Sequence, residues 1–306
     1  MAVASRLNVT AALVAVQVFF GLHYAAARHI MTAIPPRAWA TLRIVPAAIL
    51  LMAYVLWRRP SALPRAPRDL WRLAVYSVFG VVINQVCFVE GLYRTRTAHS
   101  AIINTGIPVA TLLIALVAGT ESATGRKLTG IGLALCGVLY LLLHTGATMP
   151  GQFVTGDILT LINGLSYAFF LVISKPILSR CSSLGVTAWL LTFGAVGISA
   201  LGLPQLLQLD VSAVPASVWW TGAFVVIFPT ILAYILNSWA LARVESSLVA
   251  LFIYLQPLIA ATLGVFWLGE PLGAETIIAG AFIFTGVGVA VWNRPGAARA
   301  ASPDNS

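Results

Sequence analysis

A chain of 306 residues that is 59% hydrophobic and only 9% charged is not a soluble protein with one large core, because soluble domains carry about a quarter charged residues. Its net charge of +9 suggests nucleic acid only until the basic residues are placed. With the N-terminus in the cytoplasm and helices alternating, 13 of the 18 Lys and Arg fall on the cytoplasmic side. That bias orients a membrane protein and leaves no nucleic-acid partner to infer.

Uncharged runs at 7–27, 97–120, 128–156, 181–209, 211–242 and 246–269 each reach about the 18 residues a membrane-crossing helix needs. Shorter runs at 44–57, 73–89, 158–174 and 276–293 reach it if a terminal charge snorkels to the interface. The expected fold is all-α and polytopic, with helices over 7–29, 38–57, 71–93, 97–118, 127–145, 156–178, 185–208, 216–241, 246–268 and 274–292.

Along the first helix, Arg6, an apolar run and Ala25-Ala26-Ala27 imitate a cleavable signal. The length of the run and its polar residues Gln17 and His23 favour a retained span. Gln17 and Tyr24 are seven apart and share a face. The second helix carries Arg43 about a turn and a half inside its start. It reads either as an anion anchor for a substrate carboxylate or as an interfacial cation that snorkels or pairs with Glu90 or a helix C-terminus. Intramembrane charge costs about 2.5–3.5 kcal/mol on insertion scales, so either reading needs a partner. On the third helix lie Asn84, Gln85 and Glu90. Glu90 is a candidate proton-coupling group, because an apolar setting favours its neutral form. Arg94, four residues on, is at ion-pair spacing, and such a pair would remove Glu90 from proton traffic. His23, His29 or His99 would then be next in line.

The fourth helix brings His99, Asn104 and Pro108 and ends at Glu121. The sixth brings Asn163, Ser166 and Tyr167, the eighth Asn237 and Trp239, and the ninth Tyr254, Gln256 and Pro257, ending at Glu270. Gln17, His23, Tyr24, Asn84, Gln85, Asn104, Asn163, Tyr167, Asn237, Trp239, Tyr254 and Gln256 together read as a polar cavity. Any one of them alone reads as a hydrogen bond between helices, about 0.6 kcal/mol each. Gly130, Gly132 and Gly137 on the fifth helix and Gly280, Gly286 and Gly288 on the tenth read as close-packing positions. Trp57, Trp71, Trp219, Trp220, Trp267 and Trp292 read as interfacial anchors. The Pro/Ala-rich tail 294–306 reads as disordered and cytoplasmic.

The chain says much of this twice. Pro108 and Pro257, Glu121 and Glu270, Trp71 and Trp220, Arg94 and Arg243 are all 149 residues apart. GLHYA at Gly21–Ala25 and GLSYA at Gly164–Ala168 repeat at 143. Two five-helix repeats follow, 7–145 and 156–293. Five is odd, so the second enters the membrane inverted. Inverted repeats recur in transporters with a midplane site between the halves. Pro108 and Pro257 should kink or loosen their helices and free carbonyls near Asn104 and Ile253. Glu121 and Glu270 should cap the turn into the next helix.

Proline, an apolar stretch, Gly-Glu or a variant and a Gly-bearing helix, given twice, resemble the EamA-type transporters of the drug/metabolite transporter superfamily. Thr41-Leu42-Arg43 followed by IVPAAILLMAYVLW resembles that family's second helix. The resemblance covers 7–293. It implies ten helices, both termini cytoplasmic, a central cavity, and export of small metabolites such as amino acids or nucleosides, commonly against protons. His23 departs from the Trp-Gly-type pair usual in the first helix, and Gly119-Thr120-Glu121 varies the Gly-Glu ending kept at Gly269-Glu270.

The expectation is an inner-membrane exporter of a small metabolite working by alternating access, with a passive channel or facilitator as the alternative. No cofactor, metal site or enzymatic motif is expected. The partners expected are a small-molecule substrate, the lipid bilayer and, as an assembly option, a second copy in a homodimer.

Overall fold

A computed structural model describes residues 6–95, 100, 103–144, 154–259 and 274–291. His99, Trp267, Glu270, Trp292 and the tail 294–306 lie outside them. Among the described residues there is no strand.

In chain order the helices are α1 (Arg6–Ile30), α2 (Pro36–Arg58), α3 (Pro67–Arg94), α4 (Ile107–Val117), α5 (Gly125–His144), α6 (Val154–Leu178), α7 (Ser183–Leu207), α8 (Ala216–Leu241), α9 (Ser246–Ile259) and α10 (Ala274–Val291). Among the described residues six of them, α1, α2, α3, α6, α7 and α8, are long and apolar enough to cross a bilayer. Stretches of α4, α9 and α10 are shorter apolar helices. Lipid-facing positions are apolar, as Ile49, Leu50, Val117 and Val196 illustrate. Trp57, Trp71 and Trp220 are exposed near helix ends, where an amphipathic ring suits the headgroup layer.

Packing respects an exchange of the two halves. Helix α2 packs on α7, α4 on α9 and α5 on α10, each against its own counterpart. Helix α3 packs on α6, and its counterpart α8 packs on α1. The α5–α10 contact depends on missing side chains. A Cβ on Gly130 would lie 2.8 Å from the Gly286 carbonyl oxygen, and one on Gly137 would lie 2.8 Å from that of Ala279. Gly132 and Gly288 face open space and Gly280 meets only Leu258, so the expected stripe of small residues narrows to three positions.

Both α3 and α8 contain a wide π-helical turn, Val78–Ile83 and Val226–Leu232, again about 149 residues apart. Such turns misalign backbone carbonyls, and neighbouring side chains take them up. Ser166 donates to the Phe79 carbonyl (2.7 Å) and Arg43 to that of Pro229 (3.4 Å). The C-terminal ends of the two helices are treated alike as well. Arg28 donates to the Thr95 carbonyl and Lys175 to the Val244 carbonyl, and these two acceptors are 149 residues apart. Cations suit such ends, where carbonyls lack helical partners.

The two prolines follow backbone irregularities of different kinds. Pro108 sits in the first turn of α4, after a turn at Thr105–Gly106, so the helix restarts there. At that position the missing N–H costs no hydrogen bond. Before Pro257, α9 tightens into a 3₁₀ turn at Phe252–Tyr254.

The role of Glu121 is wider than the turn into the next helix. Gly119, at φ 66°, adopts the left-handed backbone that ends α4. Beyond it Glu121 reaches α9 as well as the first turn of α5. It accepts from the Ser247 backbone N–H at 3.2 Å and from the Ser247 hydroxyl, and pairs with Lys127 at 3.1 Å. It therefore caps the helix that packs beside α4, across 126 residues of chain.

Candidate functional site: a buried arginine in a polar cavity

Arg43 is 1% exposed and is among the largest fully buried side chains. Its Nε donates to Thr230 Oγ1 (2.6 Å), and its Nη1 to Gln85 Oε1 (2.6 Å) and His23 Nε2 (3.1 Å). Its Nη2 donates to the Pro229 carbonyl. Guanidinium groups only donate, so His23 accepts through Nε2 and is neutral in this arrangement. The local sequence explains Thr230. Pro229 has no N–H to give the Val225 carbonyl, and the Thr230 hydroxyl donates to that oxygen instead (2.8 Å) while accepting from Arg43. The interfacial reading of Arg43 is thereby corrected. It neither snorkels nor reaches Glu90, and among the described residues no carboxylate pairs with it.

From Arg43 a directed chain of amides runs across the bundle. Gln85 Nε2 donates to Asn84 Oδ1 (2.6 Å) and to the Tyr234 hydroxyl (2.8 Å). Asn84 donates to Asn163 (2.7 Å), Asn163 to Asn104 (3.3 Å), and Asn104 to the Tyr24 hydroxyl (2.5 Å). Each amide turns its oxygen toward the arginine end, so the aligned dipoles solvate the buried cation. Phe88 closes one wall, stacked on His23 at 5.1 Å and edge-on to Tyr24 at 5.3 Å.

These groups line a cavity of about 70 Å³, which Tyr167 and Gln256 also border. One of its ends is a floor one helical turn thick. Gln256 donates to Gln17 (2.7 Å), and four residues back along each helix Phe252 and Leu13 already line a vestibule of about 1100 Å³. Arg126, Lys127, Arg180, Arg243 and Trp239 also face that vestibule. At the opposite end of the bundle Glu90, only 5% exposed at its side chain, is shared by Arg37 (2.6 Å) and Arg94. It borders a shallower mouth of about 350 Å³ with Gln205 and Pro36.

The structure thus brings Gln17, His23, Tyr24, Arg43, Asn84, Gln85, Asn104, Asn163, Tyr167 and Gln256 to one place. Three of the expected lining residues stand elsewhere. Trp239 lies under the Arg243 guanidinium at 4.1 Å on the vestibule wall. Asn237 is buried beside Tyr167, its Oδ1 without a partner among the described residues. Tyr254 is buried toward Cys136 of α5. Glu90 sits outside the cavity between two guanidiniums, which disagrees with a free proton carrier. Thr230, Pro229, Tyr234, Phe88 and Arg37 escaped the sequence reading. Tyr234 carried a usable signal, since it stands 149 residues after Gln85, the residue it bonds.

Comparison with known proteins agrees with this architecture. The model of the EamA-like transporter family matches residues 8–143 and again 154–292. An uncharacterized transporter of Archaeoglobus fulgidus is 29% identical over 80% of this chain and 84% of its own length. The uncharacterized inner membrane transporter YedA of Escherichia coli is 25% identical over 89% and 87%. A solved crystal structure covering 94% of this chain and 98% of its own superposes with a TM-score of 0.74 at 21% identity, a likeness of fold. The duplicated family match, the apolar helices and the exchange-symmetric packing agree: this multi-pass membrane chain belongs to the EamA-like transporter family.

Proposed function

We propose that the protein is a ten-span inner-membrane carrier, both termini cytoplasmic, that exports a small metabolite by alternating access around Arg43. The observation that carries this reading is a fully buried cation on the wall of a cavity, held by neutral acceptors alone. Burying a guanidinium costs several kcal/mol even when it is hydrogen-bonded. A neutral amide would link the same helices without that cost, so the charge serves a ligand that brings the opposite one. The one-turn floor and the ion-paired far end support alternating access, since each closes the cavity toward one side. They also weigh against the passive-channel alternative, which needs a continuous path.

Export is taken to be coupled to protons. Glu90 is shared by two guanidiniums and His23 accepts from Arg43, so a proton can reach His23 only once Arg43 turns away from it toward a ligand. The test is solute uptake into inside-out vesicles, with and without an acidic interior. Saturable uptake driven by the gradient, and lost in Arg43→Gln, is the expected result. Linear, non-saturating flux would establish the channel instead, and uptake indifferent to the gradient would remove proton coupling.

A further inference from the structure

The charges around the central cavity say more than that it holds an anion. We infer that it is built for a small organic monoanion without an ammonium group, a 2-hydroxy- or 2-oxocarboxylate rather than an amino acid. This rests on the carrier reading above and on Arg43 as its anchor.

The wall carries one positive charge and, among the described residues, no negative one. Arg43 supplies the cation, and His23 is neutral because it accepts from that cation. The remaining polar lining consists of amides and phenols. The carboxylates that the described side chains offer lie at helix ends and are engaged there. Glu90 is held by Arg37 and Arg94, Glu121 by Lys127 and Ser247, and Asp157 accepts from Thr95. A carboxylate seated on Arg43 cancels the buried charge. An amino acid seated the same way adds an ammonium beside the guanidinium with no counter-ion, which restores the uncompensated charge the ligand was to remove. A dianion errs in the other direction and leaves one negative charge unmatched.

The donor geometry agrees. Four of the five guanidinium N–H groups are engaged, and the remaining one, on Nη2, has no acceptor among the described residues. The amide chain presents both donors and acceptors, so a ligand hydroxyl or keto oxygen finds a neutral partner. Size narrows the class. At about 10–15 Å³ per water, a cavity of about 70 Å³ holds roughly five to seven waters, the bulk of a small hydroxy acid.

The experiment is counterflow exchange in proteoliposomes of the full chain, with probes that differ only by hydroxyl against ammonium: glycolate with glycine, and lactate with alanine. The expected result is a half-saturation concentration at least tenfold lower for the hydroxy acid in each pair, with exchange abolished in Arg43→Gln. Asn104→Asp, which puts a carboxylate on the cavity wall, should narrow or reverse the preference. An amino acid exchanged as well as its hydroxy acid overturns the inference and leaves the anion anchor standing. Lactate exchange that survives Arg43→Gln overturns the anchor too. Exchange of none of the four probes overturns the inference, and saturable uptake of other solutes in vesicles would then show whether the carrier reading survives.

Discussion

At the scale of single residues, Arg43 decides what the cavity can hold and Thr230 decides where Arg43 points. Thr230→Val keeps the volume and removes the hydroxyl, leaving the Arg43 Nε–H unpaired in a buried place and taking one donor from the Val225 carbonyl. A buried orphan of this kind costs about 1–3 kcal/mol. The purified variant should therefore melt several degrees below the parent in a detergent thermal-shift assay, and an unchanged midpoint would show that the bridge is dispensable. Arg43→Lys keeps the charge but replaces a planar fork by a point charge. Transport should fall at least tenfold in kcat/KM, with the charge-neutral Arg43→Gln lower still. Arg43 itself was legible in the sequence as a cation inside an apolar span. Its partners were not, because Thr230 lies 187 residues away and nothing local marks the meeting.

Helices and their joints carry a second layer. Glu121→Ala removes the acceptor for the Ser247 N–H and hydroxyl and strands Lys127 near Glu245 alone. A loss of about 3 kcal/mol is expected for a charge this buried, read as a lower melting point and faster proteolysis near the start of α9. Gly286→Val would drive a branched side chain into the Gly130 backbone, so α5 and α10 must separate and the monodisperse peak in size-exclusion chromatography should collapse. Gly132→Val, facing open space, serves as the tolerated control. Apolar run length gave the helices and their order, since period and charge spacing report directly on burial in lipid. The wide turns in α3 and α8 left no such trace. A π turn changes which carbonyls point where without changing which residues are apolar, and only Pro229 hinted at it. The restart of α4 at Pro108 was likewise hidden, because a proline inside an apolar run reads the same whether the helix bends or begins again.

At the scale of the whole molecule, the cavity is closed by two unlike devices, a pair of amides on one side and an ion triad on the other. Gln256→Leu removes the side-chain hydrogen bond of the floor and leaves the Gln17 oxygen without that donor, so a cysteine placed at Ile253 should react faster with a maleimide added from the vestibule side. Glu90→Gln should loosen the opposite end, speeding labelling from that side of a cysteine placed at Phe88, which is buried on the cavity wall, and leaving the floor unaffected. If both variants accelerate both labels equally, the two ends do not close independently. The 149-residue spacing pointed to two halves, and most of the amides and phenols marked out in the sequence are ones that meet around Arg43. What remained hidden was how those amides are wired, since direction along a hydrogen-bond chain depends on side-chain geometry across five helices.

The Gln85–Tyr234 hydrogen bond holds one further meaning. The two residues occupy the same position in the two halves, so their contact lies where one half meets its own image. Were the halves separate copies of one short chain, that spot would bring a residue against itself. A self-pairing glutamine or tyrosine must share donor and acceptor roles symmetrically. Joined in one chain, the halves can differ there, and an amide can give its proton to a phenol in a fixed sense. Fusion thereby lets a symmetric scaffold carry a polarity, and the arginine and its aligned amides depend on that polarity.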